Sequence, residues 1–286
     1  MNVVFIVLDT VRKDRISVYN NDVDFTESID EFAEGATVFR NAVSQAPWTL
    51  PSHASIFTGE YPWEHGATQK QLYLDTEKQL LAERFRQEGY DTACYTSNTW
   101  ISPYTGMAEG FDRIDNFFSA LPSDLMSSKT ERVWRWLNHG KGEWLMEKIM
   151  QFGEKLHWGF EDNGSKTPRA VKKAEEFVEE TDEDFFLFLN FMDAHLPYTP
   201  PEEYRQRHAP DVEISEICQK AHDHNGGVAE ADFEASRKLY DAEIDFLDDQ
   251  VGELLDFFEE EGLVEETVFV IVSDHGENLG EDDLFG

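Results

Sequence analysis

Four polar clusters in this sequence each follow a short apolar run: Asp9-Thr10, Ser97-Asn98, Asp193-Ala194-His195 and Asp274-His275-Gly276-Glu277. Taken singly, each reads most simply as a turn or helix-capping residue. Together they offer carboxylates and imidazoles, donors that suit a hard or borderline divalent cation. A fifth stretch, APWTLPSHASIFTG at 46–59, adds a hydroxyl. Pro51 fits a first helical turn and Gly59 a C-terminal stop, which puts Thr49 at or just before a helix N-terminus. There its hydroxyl meets free backbone N–H groups and the positive end of the dipole. On that segment alone a plain Thr N-cap is the better account.

These residues need a scaffold that gathers them. Asn2 to Asp9 (NVVFIVLD) is an apolar run closed by an acid, the pattern of a strand buried on both faces of a parallel sheet. Asp91–Thr96, Asp184–Phe191 and Thr267–Ser273 repeat it. Helical patterns lie between them. Glu77–Glu88 carries Leu80, Leu81 and Phe85 before Gly89, and Leu239–Phe258 carries Tyr240, Ile244, Leu247, Val251, Leu254 and Phe258 on one stripe. Alternating strands and helices predict a doubly wound, mostly parallel α/β sheet with helices on both faces. In such sheets ligands sit beyond the carboxyl ends of the strands, where all four clusters fall. The stretch 123–164 breaks the rhythm: helical in pattern, with Trp134, Trp136, Trp144 and Trp158, it reads as an inserted cap on one domain spanning 1–286.

Composition narrows the chemistry. The 286 residues hold 59 Asp plus Glu against 24 Lys plus Arg, a formal net charge of -35. No nucleic-acid-coating surface is expected, because phosphate backbones demand clustered cations. Such acidity is tolerable at molar salt, where the screening length falls to about 3 Å, so a halophile's cytosol is the expected setting. The longest apolar run, Val3 to Leu8, is far short of the ~20 residues of a membrane-spanning helix. Cys94 reads as core and Cys218 stands in no C-x-x-C pair, which argues against a disulfide scaffold and a thiolate zinc site. His222-Asp223-His224 reads as a polar loop. Nothing in the sequence speaks to oligomeric state.

The opening NVVFIVLDTVRKDR, the segment TLPSHASIFTGEYPWEHG, FMDAHLPYTPP, the helix YDAEIDFLDDQVGELL and the closing SDHGENLG together resemble the sulfatase family of the alkaline phosphatase superfamily, in particular its acidic haloarchaeal members. The resemblance implies a metal-dependent hydrolase of sulfate or phosphate esters, small-molecule or glycan. It implies metal ligation of one divalent cation (Ca²⁺, Mn²⁺ or Mg²⁺) by Asp9, Asp274, His275 and Thr49, with Thr49 also at the nucleophile position of the family's C-x-P-S-R motif. It assigns His195 to the substrate or leaving group and, more loosely, Asn98 to the transferred group. Such a cation would lower the Thr49 hydroxyl pKa. His195 is then a general acid. Arg12, in a cluster with Lys13 and Arg15, could draw in the anion, or the cluster is simply a solvated loop.

Three departures qualify this. Family sulfatases convert a Cys or Ser to formylglycine, which Thr49 cannot become, so no formylglycine is expected and a threonine route of phosphodiesterase or phosphotransferase type is the alternative. His53 stands where the motif has arginine, and is expected in the catalytic group. Thr10 stands where many sulfatases place a second metal carboxylate. The family also continues beyond the point where this sequence stops, so part of its fold is expected to be missing. The rival from another class is a catalytically inactive metal-binding or interaction domain.

Overall fold

The structure, a computed structural model, describes residues 1–117, 165–214 and 230–281. The Trp-rich stretch 123–164, Cys218 and His222-Asp223-His224 lie outside the described residues. Five parallel strands, β1 (Asn2–Leu8), β2 (Asp91–Thr96), β3 (Arg113–Asn116), β4 (Phe185–Phe191) and β5 (Thr267–Val272), form one sheet in the order β3-β2-β4-β1-β5. Every residue of β4, FFLFLNF, is buried, as expected of the central strand with helices on both faces.

Period-2 alternation divides the core. Val4, Ile6 and Leu8 of β1 join Phe185, Leu187 and Leu189 in one cluster, packed by α5 (Thr167–Glu180) and by Leu239, Ile244, Leu247, Val251 and Phe258 of α7 (Glu230–Glu260). Val7 joins Phe186, Phe188 and Cys94 on the opposite face, with Val3 and Phe5 packed alongside. That face is covered by α2 (Thr49–Thr58) and α4 (Leu81–Gln87). Burying a ring such as Phe188 contributes ~1.5–3 kcal/mol. Two short helices, α3 (Pro62–His65) and α6 (Glu202–His208), lie between these elements in the chain, and α1 (Glu27–Gly35) packs on α7.

The expected architecture is present, with differences at element ends. α4 starts at Leu81 rather than near Glu77, because the Glu83 carboxylate accepts the Leu80 N–H at 2.9 Å and closes the helix entry there. β3 has no apolar run to announce it: RIDN pairs with β2 alone at an edge, where charged residues are tolerated and protective. α7 begins nine residues before its apolar stripe.

Candidate active site

β1 ends in Asp9, which is fully buried. Its Oδ2 accepts the side-chain amides of Asn98 at 2.8 Å, beyond β2, and of Asn190 at 3.1 Å, within β4. Its Oδ1 is buried with no hydrogen-bond partner. Beyond β5, Asp274 repeats this division: Oδ1 accepts the backbone N–H of Thr10 at 3.2 Å and of His275 at 2.9 Å, while Oδ2 has no hydrogen-bond partner. The two free oxygens face a third group. His275 Nε2 lies 3.4 Å from Asp274 Oδ2 and 3.9 Å from Asp9 Oδ1.

The tautomer of His275 follows from its other nitrogen, which lies 2.8 Å from the Gly276 carbonyl. A carbonyl only accepts, so Nδ1 carries a proton, and in the neutral ring it is Nε2 that holds the lone pair facing the carboxylates. That arrangement suits metal ligation.

α2 brings the hydroxyl. Trp48, extended at φ −159°, occupies the cap position, and Thr49 is the first helical residue rather than the cap. Its Oγ1 is instead 3.2 Å from His275 Nε2. One turn on, Ser52 Oγ donates to the Asp274 carbonyl at 2.7 Å, joining α2 to the loop after β5. His53, wholly buried, has Nδ1 3.1 Å from the Thr49 carbonyl and 3.4 Å from Asp274 Oδ2. Gly59 closes the helix at φ 72°, a left-handed conformation that glycine adopts without strain.

Thr10 links the loops. Its φ of 61° is left-handed, costly for a β-branched residue by ~1–3 kcal/mol. Four contacts hold it there: the N–H on Asp274, the hydroxyl 2.7 Å from both the Ala194 and the Asp9 carbonyls, and the carbonyl accepting the Tyr240 hydroxyl at 2.7 Å. The hydroxyl is therefore turned toward the loop after β4.

The electrostatics match a cation site. Burial, reinforced by Asp274, pushes the Asp9 carboxyl up, whereas His53 holds Asp274 below its ordinary range despite burial. Burial opposes the charged form of His195, yet Asp9, Glu277 and Asp274 leave its pKa raised. Its Nδ1 faces the Leu196 carbonyl at 2.6 Å, so its proton resides there and Nε2 is the nitrogen left for other chemistry. Two buried carboxylate oxygens without hydrogen-bond partners, beside an imidazole lone pair and within 4.8 Å of one another, fit a divalent cation.

The structure thus brings Asp9, Asp274, His275 and Thr49 together, sets His53 against Asp274 and puts His195 within electrostatic reach of Asp9. Asn98 sits on Asp9. Arg12 is engaged elsewhere: its guanidinium donates to both Asp14 oxygens at 2.9 Å, to the Glu277 carbonyl at 3.0 Å and to Glu281 at 2.6 Å. Lys13 donates to the Arg40 carbonyl, and Arg15 to Asp241. Sequence reasoning missed Asn190, although a lone Asn in the run DFFLFLNF is a signal. It also left Glu277 without a role; that side chain is buried with Oε2 unpartnered, and its pKa is raised by burial.

A family model described as Sulfatase matches residues 1–285. An arylsulfatase of Clostridium perfringens is 25% identical over 99% of this chain and 64% of its own length. An ulvan-active sulfatase of Formosa agariphila is 28% identical over 99% of this chain and 52% of its own. The phosphonate monoester hydrolase of Agrobacterium radiobacter superposes with a TM-score of 0.71 at 19% identity, over all of this chain and 64% of that one. The periplasmic domain of the phosphoethanolamine transferase EptC from Campylobacter jejuni gives 0.61 at 16% identity, over 99% and 71%. The chain spans about half to two thirds of the length of these curated relatives. Among the described residues no helix is long and apolar enough to cross a membrane. With the match running nearly end to end, over the strand-end residues that converge on one centre, the chain belongs to the sulfatase family of the alkaline phosphatase superfamily.

Proposed function

We propose that this chain carries the catalytic centre of a metal-dependent hydrolase of sulfuric or phosphoric esters, with Thr49 as nucleophile. The observation that carries the reading is Thr49 Oγ1 at 3.2 Å from His275 Nε2, beside the free oxygens of Asp9 and Asp274. A divalent cation held by Asp9, Asp274 and His275 supplies charge neutralisation of the ester oxygens and acidifies the Thr49 hydroxyl.

This chain's own residues do the rest. The Thr49 hydroxyl gives its proton to water, and its oxygen forms a bond to the sulfur or phosphorus as the bond to the esterified alcohol breaks. The imidazolium form of His195, favoured by its raised pKa and held through Nδ1 on the Leu196 carbonyl, gives its second proton, on Nε2, to the departing oxygen. Water then releases sulfate or phosphate from the threonine ester. His53 braces the Thr49 carbonyl against Asp274. Asn98 and Asn190 fix the Asp9 carboxylate. Residue 49 is a threonine, an alcohol that also supports the second reading, a phosphodiesterase or phosphoryl transferase. The charge of -35 supports a high-salt cytoplasmic setting.

The test is turnover of p-nitrophenyl sulfate, p-nitrophenyl phosphate and bis-p-nitrophenyl phosphate by the full-length protein in molar KCl, with and without Mn²⁺, Mg²⁺ and Ca²⁺. Metal-dependent release of nitrophenol, with a sulfo or phosphoryl adduct on Thr49 in the quenched enzyme by mass spectrometry, is the expected result. Turnover undiminished in Thr49→Ala overturns the nucleophile. No turnover of any ester favours an inactive binding domain.

A further inference from the structure

Trp100 stands two positions beyond Asn98, on a turn fastened from several sides. Asn98 Oδ1 accepts the Trp100 N–H at 2.9 Å while its amide reaches Asp9, and the Trp100 carbonyl accepts the Thr105 hydroxyl at 2.6 Å. The Asn116 amide of β3 donates to the Asn98 and Ile101 carbonyls at 2.7 and 3.1 Å. The ring is thus carried on backbone tied directly to the centre. β2 and β4 are neighbouring strands, so this turn borders the loop that carries His195, the acid for the departing oxygen. On the other flank Trp48, the residue before Thr49, meets Trp100 edge to face, with ring centroids 5.6 Å apart and an interplanar angle of 85°.

Core packing alone does not account for this pair. Both rings pack on the cluster that contains Leu50 and Ile101, yet both side chains stay half-buried. Neither indole N–H has a hydrogen-bond partner among the described residues, whereas an indole built only into a core ordinarily pairs that group. Half-open aromatic faces with two free donors match a ligand that is apolar on its face and carries acceptors on its rim. A pyranose ring has both, C–H groups across the face and hydroxyls around it. An alkyl alcohol has neither, and an aryl alcohol has the face without the hydroxyls. We propose that Trp100, braced by Trp48, forms the subsite for the alcohol half of the ester, and that this alcohol is a sugar. The inference rests on the ester-hydrolase reading above and deepens it by naming the substrate class.

The test reads binding rather than turnover. Full-length protein carrying Thr49→Ala, which holds esters without consuming them, is titrated by calorimetry in molar KCl with glucose 6-sulfate, phenyl sulfate and ethyl sulfate, and with the three matching phosphates. The sugar ester binding at least about 10-fold tighter than the ethyl ester, with the phenyl ester between them, is the expected result. Adding Trp100→Ala is expected to weaken the sugar ester about 10-fold more than the ethyl ester. If that variant does not fold, the ranking of the three esters decides alone. An ethyl or phenyl ester bound as tightly as the sugar ester, or equal losses for sugar and ethyl esters in Trp100→Ala, overturns the proposal while leaving ester hydrolysis standing. Failure of every ester to bind overturns both.

Discussion

Ser52 Oγ donates to the carbonyl of Asp274 at 2.7 Å, across 222 positions of chain, so the helix that presents Thr49 is tied directly to the loop that presents Asp274 and His275. Ser52→Ala leaves a buried carbonyl without its partner, at a cost of ~1–3 kcal/mol. The nucleophile also loses its alignment. Urea denaturation is expected to show that loss, and steady-state kinetics a kcat about 10-fold lower with KM little changed. Unchanged kcat would show that the bond is structural only.

Thr49→Ala and Thr49→Ser separate the hydroxyl from its methyl group. Alanine is expected to lower kcat by about 10³-fold or more while metal binding persists through Asp9, Asp274 and His275. Serine keeps the attacking oxygen and is expected to retain a labelled ester at residue 49 by mass spectrometry. An adduct found elsewhere in Thr49→Ser would move the nucleophile.

Asp248 in α7 accepts the N–H groups of Ser28 at 2.7 Å and Ile29 at 2.9 Å, holding the start of α1 from outside. Burial pushes its carboxyl up to about 6, from an ordinary 3.8. A carboxyl that binds its proton more tightly when folded contributes stability that is complete below about pH 4 and is lost as pH rises through about 6. That loss is about 1–3 kcal/mol. Melting temperatures of wild type are expected to fall between pH 4.5 and 7, and Asp248→Asn to flatten that slope. Parallel curves would exclude Asp248 as the source.

The surface charge predicts a strong salt dependence. At a net charge of -35, repulsion between carboxylates is screened only as KCl approaches molar concentration. The melting temperature is expected to rise by about 10 °C or more from 0.1 to 2 M KCl. A flat response, followed by circular dichroism, would remove the high-salt reading.

Much of this was legible in the sequence because a strand buried on both faces must be apolar throughout, so the first acid after it marks the strand end. Asp9 and Asp274 follow such runs, and their convergence follows from parallel strands sharing one carboxyl edge. Asn190 escaped notice for the opposite reason: it sits inside a strand, and only the fold shows that its amide reaches Asp9. Arg12 shows a second limit. A cation near a site suggests anion binding, but Asp14, Glu277 and Glu281 already hold its guanidinium, and two of those partners lie over 260 positions away. β3 stayed hidden because an edge strand of four residues needs no apolar pattern.

The alternation along β1 has an evolutionary corollary. Removing one residue from its middle would rotate everything upstream of the break by a half-turn, sending Val4 among the rings that Val3 now meets and Val3 into the layer below. If the upstream half kept its pairing instead, Asp9 would swing out of its socket between the two asparagines. Insertions and deletions should therefore accumulate in the connections of this lineage, whereas the seven positions Asn2–Leu8 act as a ruler whose length cannot drift.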